Sequence, residues 1–347
     1  MKNFIYVLLI MIILSCSNKE ENTNSSNFDI TELSILNSSG TTPKKGDPII
    51  LTISLENKGT DVEEVEVIPL LSSNRFSDFQ DVKLKGKKVM LAAGEKTSIT
   101  INAGPFIHDK STDKHYALGS GEYVISSILI NEKVDKDFSG KTFSITSSNS
   151  ILVPVLFDPV YLTKIGYAGG IEAYLEKAFT RKVELYENET YTTFLGGLDE
   201  MMDINHIFYV IETKNVEQVD EEGGKCEKAL ALAKEELGLA NNWNGPVETQ
   251  KANHGFDYLM ALSRDSFGGV ACGWLNVQVT GVFDFDLSLE RSQILVIHET
   301  SHLLGSPHCD PLQSYVMCAG EKHQKYIDEG TYVYNIVSRN QMSNKFD

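Results

Sequence analysis

From Phe28 to about Thr146 apolar and polar residues alternate with a period of two. Leu51, Ile53 and Leu55 are separated by Thr52 and Ser54, Val65 and Val67 by Glu66, and Ile99 and Ile101 by Thr100. Successive side chains of a strand point to opposite faces, so each run predicts a half-buried strand. Pro43, Gly46, Asn57-Lys58-Gly59, Gly94 and Gly119-Ser120-Gly121 supply turns between them. About seven short strands punctuated in this way predict an all-β sandwich over residues 28–146.

The pattern changes after the polar run Thr146-Ser147-Ser148-Asn149-Ser150. Residues 151–157 are a continuous apolar run of strand type. Gly169 to Phe179 places Ile171, Tyr174, Leu175 and Ala178 on one helical face; Val183 to Tyr186 and His206 to Glu212 predict strands, and Cys226 to Leu237 a second amphipathic helix. A helix follows with Ile294, Leu295, Ile297 and Leu303 on its buried flank, capped by Asp286 or Ser288. Tyr332 to Met342 predicts a closing helix. Residues 151–347 therefore read as a second, α/β (α+β) domain, and the chain as multidomain.

The ends and the charge narrow its setting. Met1-Lys2-Asn3 and the apolar run Phe4 to Leu14 form a leader too short to span a bilayer. Ile13-Leu14-Ser15-Cys16 resembles the bacterial lipobox, which implies removal of residues 1–15 and lipidation of Cys16. Residues 16–27 then form a polar tether, whose Ser17-Asn18-Lys19-Glu20-Glu21 looks like the acidic tag that sends some lipoproteins to the outer surface. An outer-membrane lipoprotein facing outward, held to the membrane by lipid alone, is expected. With 48 acidic and 31 basic residues the chain carries −17, which opposes phosphate backbones and excludes nucleic acid as a partner.

The densest chemistry lies at His298-Glu299-Thr300-Ser301-His302-Leu303-Leu304-Gly305-Ser306-Pro307-His308. On a helix, residues four apart share a face, so His298 and His302 can aim at one cation. Glu299 sits beside them as a candidate general base. Gly305 tolerates the left-handed turn that ends a helix and Pro307 keeps it ended, so the chain can bring His308 back as a third ligand. Three protein ligands leave a tetrahedral Zn²⁺ one open position, the catalytic arrangement. Such a coincidence arises by chance in roughly one chain in ten thousand. His108 and His115 are read as solvated loop residues, and His206 and His254 as structural. Calcium is compatible with an acidic exported domain, but no EF-hand-like loop supports it.

This eleven-residue motif, with Met317 nine positions after His308, resembles the metzincin zinc metallopeptidases of adamalysin type. The resemblance implies a zinc metalloendopeptidase in which His298, His302 and His308 hold the metal, Glu299 is catalytic, and Met317 forms an apolar floor beneath the histidines. It also implies an edge strand, Val270-Ala271-Cys272-Gly273-Trp274, against which an extended polypeptide substrate would pair. Cys309 follows the third histidine where the family carries other residues, and Ala319 stands where some members have an extra tyrosine ligand. Of the three pairings open to Cys226, Cys272, Cys309 and Cys318, the preferred one joins Cys309 with Cys318 and Cys226 with Cys272. The sandwich, from Gly46 through Asn57-Lys58-Gly59 to Gly121-Glu122-Tyr123, is similar to the immunoglobulin-like modules of bacterial surface enzymes. Two other functions fit the same residues: a binding or adhesion lipoprotein that has lost catalysis, and a zinc amidase acting on cell-wall peptide.

Overall fold

The computed structural model describes residues 27–73, 80–135, 138–164, 167, 169–188, 191–220, 224–238, 255–263, 268–281, 289–308, 316–317 and 331–343. The leader and Cys16, nearly all of the tether, the Asp286 or Ser288 cap, His254, and the pairing of Cys309 with Cys318 lie outside the described residues.

The alternating half of the chain forms β1 (Phe28–Asn37), β2 (Ile49–Asn57), β3 (Glu63–Ser72), β4 (Val82–Lys83), β5 (Lys87–Leu91), β6 (Lys96–Asn102), β7 (Phe106–Asp109), β8 (Lys114–Ala117), β9 (Gly121–Ile130), β10 (Lys133–Val134) and β11 (Lys141–Ile145). β1, β2 and β6 make one antiparallel sheet. A second is built on the β3–β9 pair, with β4 and β5 along β3 and β10 and β11 along β9. The residues that set the period of two, Leu51, Ile53, Leu55, Val65, Val67, Ile99 and Ile101, all point into one core shared by both sheets. Their polar neighbours face outward, which is why the alternation was needed. There are more strands than the turn signals suggest, because the long ladders carry two-residue partners at their ends.

The hairpin β7–β8 stands apart from both sheets and leans on the other half of the chain, where Phe106 stacks on Tyr209 at 4.8 Å.

The second half contains β12 (Ser150–Phe157), α1 (Pro159–Lys164), α2 (Ile171–Phe179), β13 (Lys182–Asn188), β14 (Tyr191–Leu195), α3 (Leu198–Met202), β15 (Asn205–Glu212), a 3₁₀ turn (Lys214–Asp220), α4 (Lys225–Glu236), β16 (Leu259–Ser263), β17 (Gly269–Cys272), β18 (Val277–Gly281), α5 (Leu289–Leu303), β19 (Thr331–Asn335) and α6 (Ile336–Ser343). The main sheet runs β15-β12-β16-β18-β17. Its first four strands are parallel, and β17 closes one edge antiparallel to β18. Interior parallel strands are covered on both faces, so β12 is apolar without alternation and buried from Ile151 to Phe157. A smaller sheet, β14-β13-β19, lies beside it. The whole is a mixed, sheet-rich α+β protein with several sheets.

Two expectations are corrected, and one strand is added. Tyr332 to Met342 is not one helix: Tyr332, Val333 and Tyr334 belong to β19, which pairs parallel with β13. Aromatic and β-branched residues suit that half-buried pleated surface, and the helix starts only at Ile336. Strand β18 was not anticipated, because its alternate residues Gln278 and Thr280 are polar yet fully buried. The edge strand is shorter than Val270 to Trp274: it ends at Cys272, and Gly273 and Trp274 form a turn in which Trp274 is 70% exposed.

The two cores meet through specific contacts. Lys45 Nζ lies 2.6 Å from Asp257 Oδ2, whose oxygen also accepts the Leu152 N–H at 2.8 Å. The His115 N–H donates to the Leu237 carbonyl at 2.9 Å, just past α4.

Candidate metal centre

Helix α5 carries the site, and its packing holds it at two levels. Ile294, Val296, Ile297 and Leu303 are buried, while Leu295 is only half so. Buried polar side chains fix its rotation: the Thr300 hydroxyl donates to Gln278 Oε1 at 3.0 Å, Gln278 Nε2 donates to the Val296 carbonyl at 3.2 Å, and Ser301 and Tyr334 share a hydroxyl bond of 2.8 Å. The helix ends at Gly305, with φ of 100°, where the Gly305 N–H reaches the His302 carbonyl at 3.0 Å and the Ser306 N–H the Ser301 carbonyl at 2.9 Å. These are the two bonds of a Schellman turn, a conformation that favours glycine. The reversal brings His308 back over the helix face.

The three imidazoles converge. Nε2 of His298 lies 3.1 Å from Nε2 of His302 and 3.2 Å from that of His308, and the last two are 3.0 Å apart. A tetrahedral ion with bonds of about 2.0 Å has edges of about 3.3 Å between ligands, so this triangle already has the size of one face of such a site. The opposite ring nitrogens set the tautomers. His298 Nδ1 lies 2.6 Å from the Val316 carbonyl, and His302 Nδ1 lies 2.7 Å from the Ser306 carbonyl. A carbonyl only accepts, so each Nδ1 carries the proton and each Nε2 turns its lone pair inward. The two lone pairs fixed in this way repel one another at this separation, and a cation among the three nitrogens would remove that cost. Burial also holds the His302 pKa below the usual histidine range, keeping its imidazole neutral.

The role of Val316 was invisible in the sequence. Its N–H is tied to the Val333 carbonyl of β19 at 2.8 Å, so the small sheet orients the first histidine. Met317, beside it, is fully buried in the core.

Glu299 is buried next to the cluster, and burial pushes its pKa up to about 8. A cation at the three nitrogens would favour the carboxylate again. Gly269 of β17 packs on this side chain: a Cβ there would come within 2.5 Å of Glu299 Oε1. The edge strand thus runs directly past the carboxylate. The disulfide between Cys226 and Cys272, part of the preferred pairing, ties the end of β17 to α4. Three nitrogen donors could hold a transition metal but are the wrong set for Ca²⁺, which takes oxygen.

The other histidines sort differently. His206 is buried, with Nδ1 2.6 Å from Asp199 Oδ1 and its ring against Phe179, a structural position. His108 and His115 are not solvated loop residues. They face one another across β7–β8, and His115 is buried.

No known protein family matches the chain, and no curated protein matches it. Solved structures with local similarity include a β-glucosidase from Streptomyces venezuelae (20% identity, TM-score 0.24, covering 34% of this chain and 15% of that one). A β-D-glucoside glucohydrolase from Trichoderma reesei gives 15% identity and TM-score 0.25, over 35% of this chain and 19% of that one. An alkylpurine DNA glycosylase from Pseudomonas fluorescens gives 21% and 0.25, over 35% and 30%. The chain thus spans less than a third of each of these proteins, and a likeness this slight transfers neither fold nor activity. No peptidase is among them. The expected membership of the metzincins, and the enzyme class of zinc metalloendopeptidase that rested on it, is corrected accordingly. Eleven residues fix the geometry of one helix end and its ligands; they do not carry the architecture of a family. What stands is the site itself.

Proposed function

We propose that the second half of the chain is a zinc-dependent hydrolase of amide bonds, acting on substrates outside the cell. The observation that carries this reading is the triangle of Nε2 atoms, 3.0 to 3.2 Å on a side, with a buried carboxylate alongside. Bound zinc would polarise a carbonyl and acidify water at its open position. His298, His302 and His308 would hold the ion, with His298 and His302 oriented by the Val316 and Ser306 carbonyls. Glu299 accepts the proton from the attacking water and returns it to the leaving amine, so no net proton is consumed by the protein. Gly269, lacking a side chain, lets β17 lie directly against that carboxylate, and β17 is the last strand of the main sheet among the described residues, so its outer edge would offer backbone groups to an extended substrate.

The same proposal keeps the chain at the outer envelope through a lipid on Cys16, with residues 28–146 as an immunoglobulin-like spacer or partner-binding module. The domain boundary near residue 150 fits the separation of the two cores.

The test uses the full chain, wild type and Glu299→Gln, loaded with zinc and offered unfolded casein and cell-wall stem peptides. Wild type is expected to cleave one class, and the variant to bind zinc equally while losing at least 10²-fold in rate. Failure to bind zinc, or equal activity in the variant, overturns the proposal.

A further inference from the structure

Outside the three-histidine centre, one cluster among the described residues gathers metal-ligating side chains: His108, Asp113 and His115, whose ligand atoms all lie within 4.8 Å of one another. His108 of β7 and His115 of β8 are direct cross-strand partners, and two further pairs on one side and one on the other fix that register. Cross-strand partners hold their Cβ atoms about 5 Å apart, a spacing that lets two imidazoles reach one ion. Their rings stack with centroids 3.9 Å apart and planes 12° from parallel. Asp113, at the end of the connecting turn with φ of 53°, swings its carboxylate back so that Oδ1 is 2.8 Å from His108 Nε2. The turn is itself fixed, since Asp109 Oδ1 accepts the Ser111 N–H at 2.9 Å and the Ser111 hydroxyl at 2.6 Å.

His115 is oriented as metal-binding histidines commonly are. Its Nδ1 is 2.8 Å from the Tyr209 hydroxyl of β15, which leaves Nε2 for another partner. His108 also lines a cavity of about 850 Å³ together with Lys83, Lys110 and Tyr209, which provides an entry path.

We propose that His108, Asp113 and His115 form a second divalent-cation site that clamps the β7–β8 hairpin where it docks on the other half of the chain. Two nitrogens and one carboxylate suit Zn²⁺, Cu²⁺ or Ni²⁺ better than Ca²⁺ or Mg²⁺. Asp113 is the adjustable ligand: its side chain is 87% exposed and free to close the remaining gap, whereas His115 is anchored. The site differs from the first in having a carboxylate donor, and the buried acid beside it, Asp109, is committed to the Ser111 and Thr112 hydroxyls of the turn, which fits a structural ion.

The experiment titrates Zn²⁺ into metal-free full-length protein by calorimetry, for wild type, His108→Gln, Asp113→Asn and His302→Ala. Wild type is expected to take two equivalents. His108→Gln and Asp113→Asn should weaken one equivalent by at least 10-fold and leave the other, with hydrolysis unchanged, while His302→Ala should lose the opposite one. Circular dichroism melts of each variant establish that it is folded. A single equivalent in wild type, removed by His302→Ala, overturns the second site whatever becomes of the hydrolase proposal. Two equivalents in wild type that neither hairpin variant disturbs overturn the assignment to these residues.

Discussion

Single residues decide whether the three-histidine centre works, and Gly269 is the least obvious of them. The sequence shows why His298, His302 and His308 could meet, because spacing on a helix and a glycine after it are local facts. It does not show that a glycine about thirty residues upstream faces Glu299, since that contact depends on how β17 lies on α5. Alanine at Gly269 would drive its Cβ to 2.5 Å from Oε1 and force the carboxylate aside. A displacement of about 1 Å at a reacting group costs on the order of 10²-fold in rate, so Gly269→Ala is expected to lose that much hydrolysis while retaining its metal. Parallel measurement of turnover and metal content checks this. Proton competition acts at the same scale. Each ligand must present a neutral nitrogen, so falling pH should release metal as protons compete for the imidazoles. Burial holds His302 neutral and so opposes its protonation. A chelator-competition titration between pH 5 and 8 should show affinity rising with pH; affinity independent of pH would be inconsistent with histidine ligation.

At the scale of elements, apolar period identified most helices and strands, and it failed where burial is satisfied by polar groups. β18 was missed for that reason: Gln278 and Thr280 look solvated in sequence but sit at zero exposure, bonded to each other, with Gln278 also bonded to α5. β19 was misread because its aromatic run also fits a helix until the partner strand β13 is known. The Gln278 side chain thus acts as the bolt between the main sheet and the helix that carries the ligands. Gln278→Leu keeps volume but leaves Oε1 and Nε2 without replacement, stripping the Val296 carbonyl and Thr300 hydroxyl of one partner each. Destabilisation of about 1–3 kcal/mol is expected, with a melting temperature lower by roughly 2–4 °C for each kcal/mol. An unchanged melting curve would show that the helix is seated by apolar packing alone.

On the scale of the whole molecule, the polar break before Ser150 and the switch of period announced two cores, but not how they join. Lys45 and Asp257, 212 positions apart in sequence, form the junction's ion pair, and no local pattern marks either. Nor does composition show where the aromatic mass is placed. Tyr174, Tyr258, Tyr332 and Tyr334 are all buried in the core beneath the metal centre, and burial raises the pKa of each hydroxyl above its usual value. The consequence for stability has a definite sign. In the unfolded chain these phenols lose their protons near pH 10, whereas in the folded core they keep them. Folding is therefore fully supported below pH 10 and loses support as pH rises, because only the unfolded state gains by releasing protons. One unit above pH 10 the loss is about 1.4 kcal/mol per tyrosine. The melting temperature should accordingly be flat from pH 8 to 9.5 and fall steeply by pH 11. Absorbance at the tyrosinate band should show these four phenols ionising only together with unfolding. If they titrate smoothly near pH 10 in a chain that stays folded, the core beneath α5 is wet, and the rigid seat that the ligand triangle requires is absent.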